Sequence, residues 1–190
     1  AETAKRFVQT FELLSEEAFA ALKNAPAGEL DEALEGLAKV ASKEIAPFTL
    51  TRVLNNSHLY GSAYKRTNLL KDMGELADVK GMDLLADALK SANNKGTRYE
   101  LEGAAWLKQQ GKTIVELTKR VSVPWEKGTL GAATGRTDID VIVMEGTTQV
   151  FYQFKRSRDA FMGGCSTVAE ALKKNQAWVA KAMKDLGDEA

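Results

Sequence analysis

The sequence predicts an α+β protein: a helical N-terminal region followed by a compact half that reads α-β-β-β-α. Three observations carry this. Apolar residues recur at helical spacing from Phe7 to about Ala92. Beyond Gly96, β-branched runs with two-residue alternation appear. Between these patterns lies Asn93-Asn94-Lys95-Gly96, a cluster of turn-forming residues that places a domain break near residue 95 and divides the chain into 1–95 and 96–190.

The elements follow in order. From Thr3 to about Ala25, the residues Phe7, Phe11, Leu14, Ala18 and Leu22 form one amphipathic stripe, and Pro26-Ala27-Gly28 ends it. A second helix is expected from Leu30 to about Ile45, with Leu34, Leu37 and Val40 on one face. It stops before Pro47, whose ring disfavours a helical Ala46. The segment from Phe48 to Gly61 reads as irregular. Helices follow from about Ser62 to Met73 and from Met82 to Ala92, punctuated by Gly74 and Gly81.

In the second half a helix runs from about Thr97 to Gln110, then a strand from Thr113 to Leu117 and a loop around Pro124-Trp125. Strands are expected at Asp138 to Met144 and Gln149 to Lys155. A last helix begins after Thr167, where Thr167 and Glu170 have capping-box spacing, and Gly187 ends it.

Composition excludes several classes. Lys plus Arg and Asp plus Glu both number 26, so no net field recruits an acidic polymer. The stretch from Gly96 onward is slightly basic, 14 against 12 by count. A lone Cys165 forbids an internal disulfide, and His58 is the only histidine, so no Cys/His cluster holds zinc. No apolar run reaches the roughly 18 residues of a membrane span. The chain begins Ala1-Glu2, without a secretion signal, and is expected to be a piece of a longer polypeptide.

The chemistry-bearing residues lie on the two strands of the second half. Strand alternation puts Asp138 and Asp140 on one face, opposite Ile139 and Val141, and puts Gln153 and Lys155 together. If Glu145-Gly146-Thr147-Thr148 closes a hairpin, paired residues have numbers that sum to 293 (145 + 148), so Asp140 faces Gln153 and Asp138 faces Lys155. Two carboxylates, an amide oxygen and an ammonium on one patch suit phosphodiester hydrolysis. Hard oxygen ligands hold Mg²⁺ or Mn²⁺, the metal activates water, and the lysine stabilises charge on phosphoryl oxygens. The plainer reading is the solvated face of a half-buried sheet, and spacing alone does not separate the two.

Glu100 adds weight to the first. It shares a helical stripe with Ala104 and Leu107, which aims its carboxylate at the sheet, whereas Glu102 sits with Trp106 on a face read as solvated.

Glu100, then Gly135-Arg136-Thr137-Asp138-Ile139-Asp140, then Tyr152-Gln153-Phe154-Lys155, resembles the PD-(D/E)xK nuclease superfamily over roughly residues 97 to 160. The resemblance implies a restriction-endonuclease-like α/β core, a mixed sheet flanked by helices. It also implies a site of Glu100, Asp140, Gln153 and Lys155, with Glu100, Asp140 and Gln153 as metal ligands for Mg²⁺, or Mn²⁺ or Zn²⁺ in its place. By the same resemblance the Phe154 carbonyl also ligates, and Asp138 is a supplementary ligand or orients Lys155. Position 153 departs from the family, which more often has Glu there; a neutral amide brings one negative charge fewer and weaker metal binding.

More narrowly, a helical region ahead of Gly-Arg-Thr-Asp-Ile-Asp-Val and Tyr-Gln-Phe-Lys-Arg-Ser resembles the C-terminal toxin regions of contact-dependent growth inhibition proteins. That implies a toxin exported as part of a larger surface effector, carried into a neighbouring bacterium by its helical first half and acting in the target-cell cytoplasm. Its substrate would be tRNA, alternatively DNA, and a cognate immunity protein would neutralise it. Arg136, Arg156 and Arg158 are the candidate phosphate contacts; Lys173, Lys174, Lys181 and Lys184 read rather as solvated helix charge. Trp125 and Trp178 read as packing residues, and His58 has no part in this chemistry. A nonenzymatic interaction module with ordinary surface acids is the reading from a different class.

Overall fold

The computed structural model describes residues 2–43, 45–60, 64–91, 95–123, 135–155, 157–174, 176–177 and 180. Its helix-rich first part and following sheet make it an α+β protein. Helices α1 (Glu2–Glu12), α2 (Glu16–Lys23), α3 (Ala27–Ala41), α4 (Pro47–Asn56), α5 (Arg66–Glu75) and α6 (Met82–Leu89) come first. Helix α7 (Lys95–Gln109), strands β1 (Thr113–Val123), β2 (Gly135–Glu145) and β3 (Thr148–Tyr152), and helix α8 (Arg158–Met162) follow. Residues 168–174 form a further helix, α9.

The single helix expected over Thr3 to Ala25 is two. Ser15 caps α2 by accepting a hydrogen bond from the Ala18 N–H, at 3.2 Å. Asn55 of α4 accepts from the Ser15 N–H at 2.9 Å and donates to the Leu13 carbonyl at 3.4 Å. The backbone groups freed by the break are thus satisfied by a side chain forty residues away, which helical periodicity cannot register. The segment expected to be irregular after Phe48 is α4 and a 3₁₀ turn, Ser57–Tyr60. The preceding helix ends at Ala41, short of the expected Ile45 and well before Pro47, which instead occupies the first turn of α4, where a missing N–H costs nothing.

Helices α3 and α5 cross where Gly36 meets Gly74. A Cβ on Gly36 would stand 2.2 Å from the Leu70 carbonyl oxygen, and one on Gly74 would stand 2.3 Å from the Gly36 Cα. The contact therefore requires glycine on both sides. Leu37, Leu69, Leu70 and Met73 fill the space around it, and the same apolar cluster continues through Leu101, Ala104 and Leu107 of α7 to Leu117, Val141 and Val143 of the sheet. Buried contacts thus cross the break expected at residue 95.

The strands are ordered β1-β2-β3 and pair antiparallel, where a mixed sheet was expected. Among the described residues the parallel component is an isolated bridge between Lys80 and Glu116, where the Leu117 N–H donates to the Lys80 carbonyl at 2.8 Å. Gly81, at φ +87°, lets this segment lie against β1, since a Cβ there would stand 2.0 Å from the Leu117 carbonyl oxygen. Strand β1 is longer than expected and takes up one extra residue, Val115, between Ile114 and Glu116. The loop at Pro124-Trp125 and the helix end at Gly187 lie outside the described residues.

The hairpin closes as predicted. Glu145 pairs with Thr148 and Val141 with Tyr152, so partner numbers sum to 293. Gly146, first of the two turn residues, has φ +62°, a value glycine adopts freely. The capping box also forms: Glu170 accepts from the N–H groups of Ser166 and Thr167, and Thr167 Oγ1 accepts from the Glu170 N–H.

Candidate active site

The hairpin register brings Asp140 and Gln153 together. Gln153 Nε2 donates to Asp140 Oδ1 at 2.9 Å, and the Asp140 N–H approaches Gln153 Oε1 at 3.4 Å. The Phe154 N–H donates to Asp140 Oδ2 at 2.6 Å. Strand β3 ends at Tyr152, short of the expected Lys155, and the Phe154 N–H goes to this carboxylate. Asp140 is only 5 % exposed, and burying a carboxylate is costly unless both oxygens find donors, as they do here.

Lys155 is exposed, two residues from Gln153. Asp138 pairs with Arg120 in the β1–β2 ladder. The ladder between β2 and β3 stops before Asp138 would reach Lys155, and the side chain of Asp138 lies outside the described residues, as do those of Arg136 and Arg158 and all of Arg156.

Glu100 is half-buried on α7, on the stripe of Ala104 and Leu107, both of which pack into the core with Val141 and Val143. Three residues on, Gly103 receives the Phe154 ring: a Cβ at Gly103 would lie 2.3 Å from Phe154 Cε1. Phe154 therefore touches α7 with its ring while its N–H holds Asp140, which ties the helix to the strand end. Sequence reasoning passed over Gly103, although a glycine inside a helix is a signal of close approach.

Glu102 is not the solvated acid that was expected. It pairs with Arg98 at 3.3 Å, and the Arg98 guanidinium lies 5.2 Å from the Tyr64 ring centroid and 4.5 Å from that of Tyr99. Tyr64 in turn donates to Asp72. Burial pushes the Asp72 carboxyl up to about 6, with the nearby charges of Glu75 and Glu102 adding to it against the Tyr64 hydrogen bond. Glu102 thus serves a polar network between α5 and α7. Trp106, placed on the same face by the sequence, is exposed.

The oxygens around Asp140 fit a hard divalent cation. Asp140 Oδ1 accepts from Gln153 and Oδ2 from the Phe154 N–H, a carboxylate oxygen can accept more than one partner, and Mg²⁺ commonly binds through one or two carboxylates with water completing its shell. Zinc fits less well, because its nitrogen and sulfur ligands are missing from these residues. Among the described residues no three Asp, Glu, His or Cys side chains gather as a ready-made metal cluster.

Of the lysines of the last helix, one has a partner among the described residues. Lys174 donates to the Gly163 carbonyl at 3.0 Å, tying α9 to the end of α8, while Lys173 is exposed; Lys181 and Lys184 lie outside the described residues. His58 borders a cavity of about 440 Å³ in the helical half, where Lys65 and Arg66 are paired with Glu29 and Glu17. No helix among the described residues is long and apolar enough to cross a membrane.

No protein-family model matches the chain, and neither curated proteins nor solved structures show a match to it.

Proposed function

We propose that this chain is a metal-dependent endonuclease of the PD-(D/E)xK type, cleaving phosphodiester bonds in tRNA or, alternatively, in DNA. The observation that supports this reading is the engagement of Asp140 with Gln153 across the hairpin, in the register that the motif needs. A bound Mg²⁺ would supply Lewis acidity and an activated water. Asp140 and Glu100 are the carboxylates to hold it, with Gln153 Oε1 and the Phe154 carbonyl as neutral oxygens and Asp138 as a supplementary ligand. Lys155 is exposed and would meet the phosphoryl oxygens, and Arg136, Arg156 and Arg158 would hold flanking phosphates.

The resemblance to growth-inhibition toxins extends the proposal. The chain would be exported within a larger surface effector, act in the cytoplasm of a neighbouring bacterium, and be held inactive in the producer by an immunity protein. Nothing in the motif distinguishes the sugar of the substrate, so RNA against DNA is a matter for assay.

One observation favours a nonenzymatic reading. Both oxygens of Asp140 are already held by protein donors, so the carboxylate could serve simply to end β3. Incubation of the folded protein with total tRNA and with plasmid DNA, each with Mg²⁺ or EDTA, separates these readings. Mg²⁺-dependent cleavage of tRNA is expected. Cleavage of plasmid alone selects the DNA reading, and cleavage of neither overturns both enzyme readings.

A further inference from the structure

Thr118 carries two costs at one position. Its φ is +51°, in the left-handed region that a β-branched residue rarely adopts, and among the described residues it is the non-glycine residue that does so. The residue is 5 % exposed, and among the described residues its hydroxyl is buried without a hydrogen-bond partner. A valine would fill the same space without stranding a polar atom, so packing alone does not explain a threonine here.

The register locates this residue. Leu117 pairs with Val141 and Lys119 with Ile139, which sets position 118 directly across from Asp140, and the ladder is interrupted at that pair. The extra residue Val115 accounts for the shift between Ile114 and Glu116 but leaves the backbone at Thr118 unexplained. Strain and unsatisfied polar atoms gather where a site needs a group held ready for something other than the protein itself. Here both fall beside the buried carboxylate that is the best candidate ligand.

We propose that Thr118 is a positioning residue of the Asp140 site, its hydroxyl holding a water in the hydration shell of a divalent cation bound there. A hydroxyl suits this because it accepts from a metal-bound water and turns its own proton toward a second acceptor. The inference rests on the metal-dependent reading given above. Sequence offers no signal for it, since Thr118 falls just past the strand expected from Thr113 to Leu117.

The test is Mn²⁺ affinity, measured on the full chain by electron paramagnetic resonance, beside urea midpoints, for wild type, Thr118→Val and Thr118→Ser. Thr118→Val is expected to match or exceed the wild-type midpoint while binding Mn²⁺ about tenfold more weakly, the usual effect of losing an outer-shell partner. Thr118→Ser, which keeps the hydroxyl, should bind as wild type does. Wild-type affinity in Thr118→Val, equal weakening in Thr118→Ser, or failure of Thr118→Val to fold would each overturn the proposal while leaving the metal site standing. A wild type that binds no Mn²⁺ would remove the metal-dependent reading itself, and Thr118's role with it.

Discussion

Replacing Gln153 with Glu would convert the donor facing Asp140 into a second carboxylate. In the wild type, Gln153 Nε2 donates to Asp140 Oδ1 at 2.9 Å, and Asp140 is buried. Losing a hydrogen bond to a charged group costs about 1.5–3 kcal/mol. Two like charges about 4 Å apart add up to roughly 4 kcal/mol at an effective dielectric near 20, a ceiling that proton uptake by the pair lowers. A net loss of about 2–4 kcal/mol at neutral pH without metal is therefore expected, a fall of about 1–2 M in the urea midpoint at a typical slope. The sign with pH follows from linkage. Protonating either carboxylate removes the like-charge repulsion, so the penalty is expected to shrink as pH falls. Mn²⁺ should reverse the loss, because the new carboxylate is a ligand; at a hundredfold excess over Kd, binding returns about 2.7 kcal/mol. Urea titrations of Gln153→Glu in EDTA and in Mn²⁺ provide the assay. An unchanged midpoint in EDTA would refute the Gln153–Asp140 hydrogen bond, and a fall that Mn²⁺ does not reverse would refute the ligand role.

Lys155→Ala should leave the urea midpoint within about 0.5 kcal/mol of wild type, because the side chain is exposed, yet reduce nuclease turnover on the order of a hundredfold or more; cleavage at the wild-type rate would remove Lys155 from the site. Gly36→Ala drives a Cβ to 2.2 Å from the Leu70 carbonyl oxygen, whereas Gly28, with nothing within 4 Å, accepts one freely. Thermal melts should show the first losing about 1–3 kcal/mol or more and the second roughly unchanged or slightly gaining. Asp72 has its pKa raised from 3.8 to about 6 by burial, so the stability it confers is full below the lower value and is lost as pH climbs through the upper one. Asp72→Asn should flatten that decline, and urea midpoints on either side of pH 6 will show whether it does.

How far the sequence reached is clearest at the hairpin. Gly146 and a two-residue turn determine the register by arithmetic, and Asp140 meets Gln153 where the count puts them. The capping box at Thr167 and Glu170 was equally legible, because its donors and acceptors are three residues apart. What escaped was set by distant partners. Ser15 breaks a continuous apolar stripe because Asn55 waits across the fold, and Pro47, expected to stop a helix that already ends at Ala41, opens the next one instead. At the site, the end of β3 depends on the Phe154 N–H turning to a carboxylate, and the left-handed backbone at Thr118 has no counterpart in residue type. Periodicity reports which face a residue takes. It does not report which polar atom its backbone will choose.

The apolar cluster running from Leu22 through Leu70 and Leu101 to Val143 has a consequence for how the molecule comes apart. Helix α7 and strand β2 rest on side chains contributed by the first ninety residues, so the strand that carries Asp140 has no foundation of its own. Loosening far from it, at the Gly36–Gly74 crossing for instance, should be felt at Asp140 in one cooperative transition. Nuclease activity and helical signal should then disappear at the same denaturant concentration, and removing the early helices should leave the site residues present in the chain but no longer gathered.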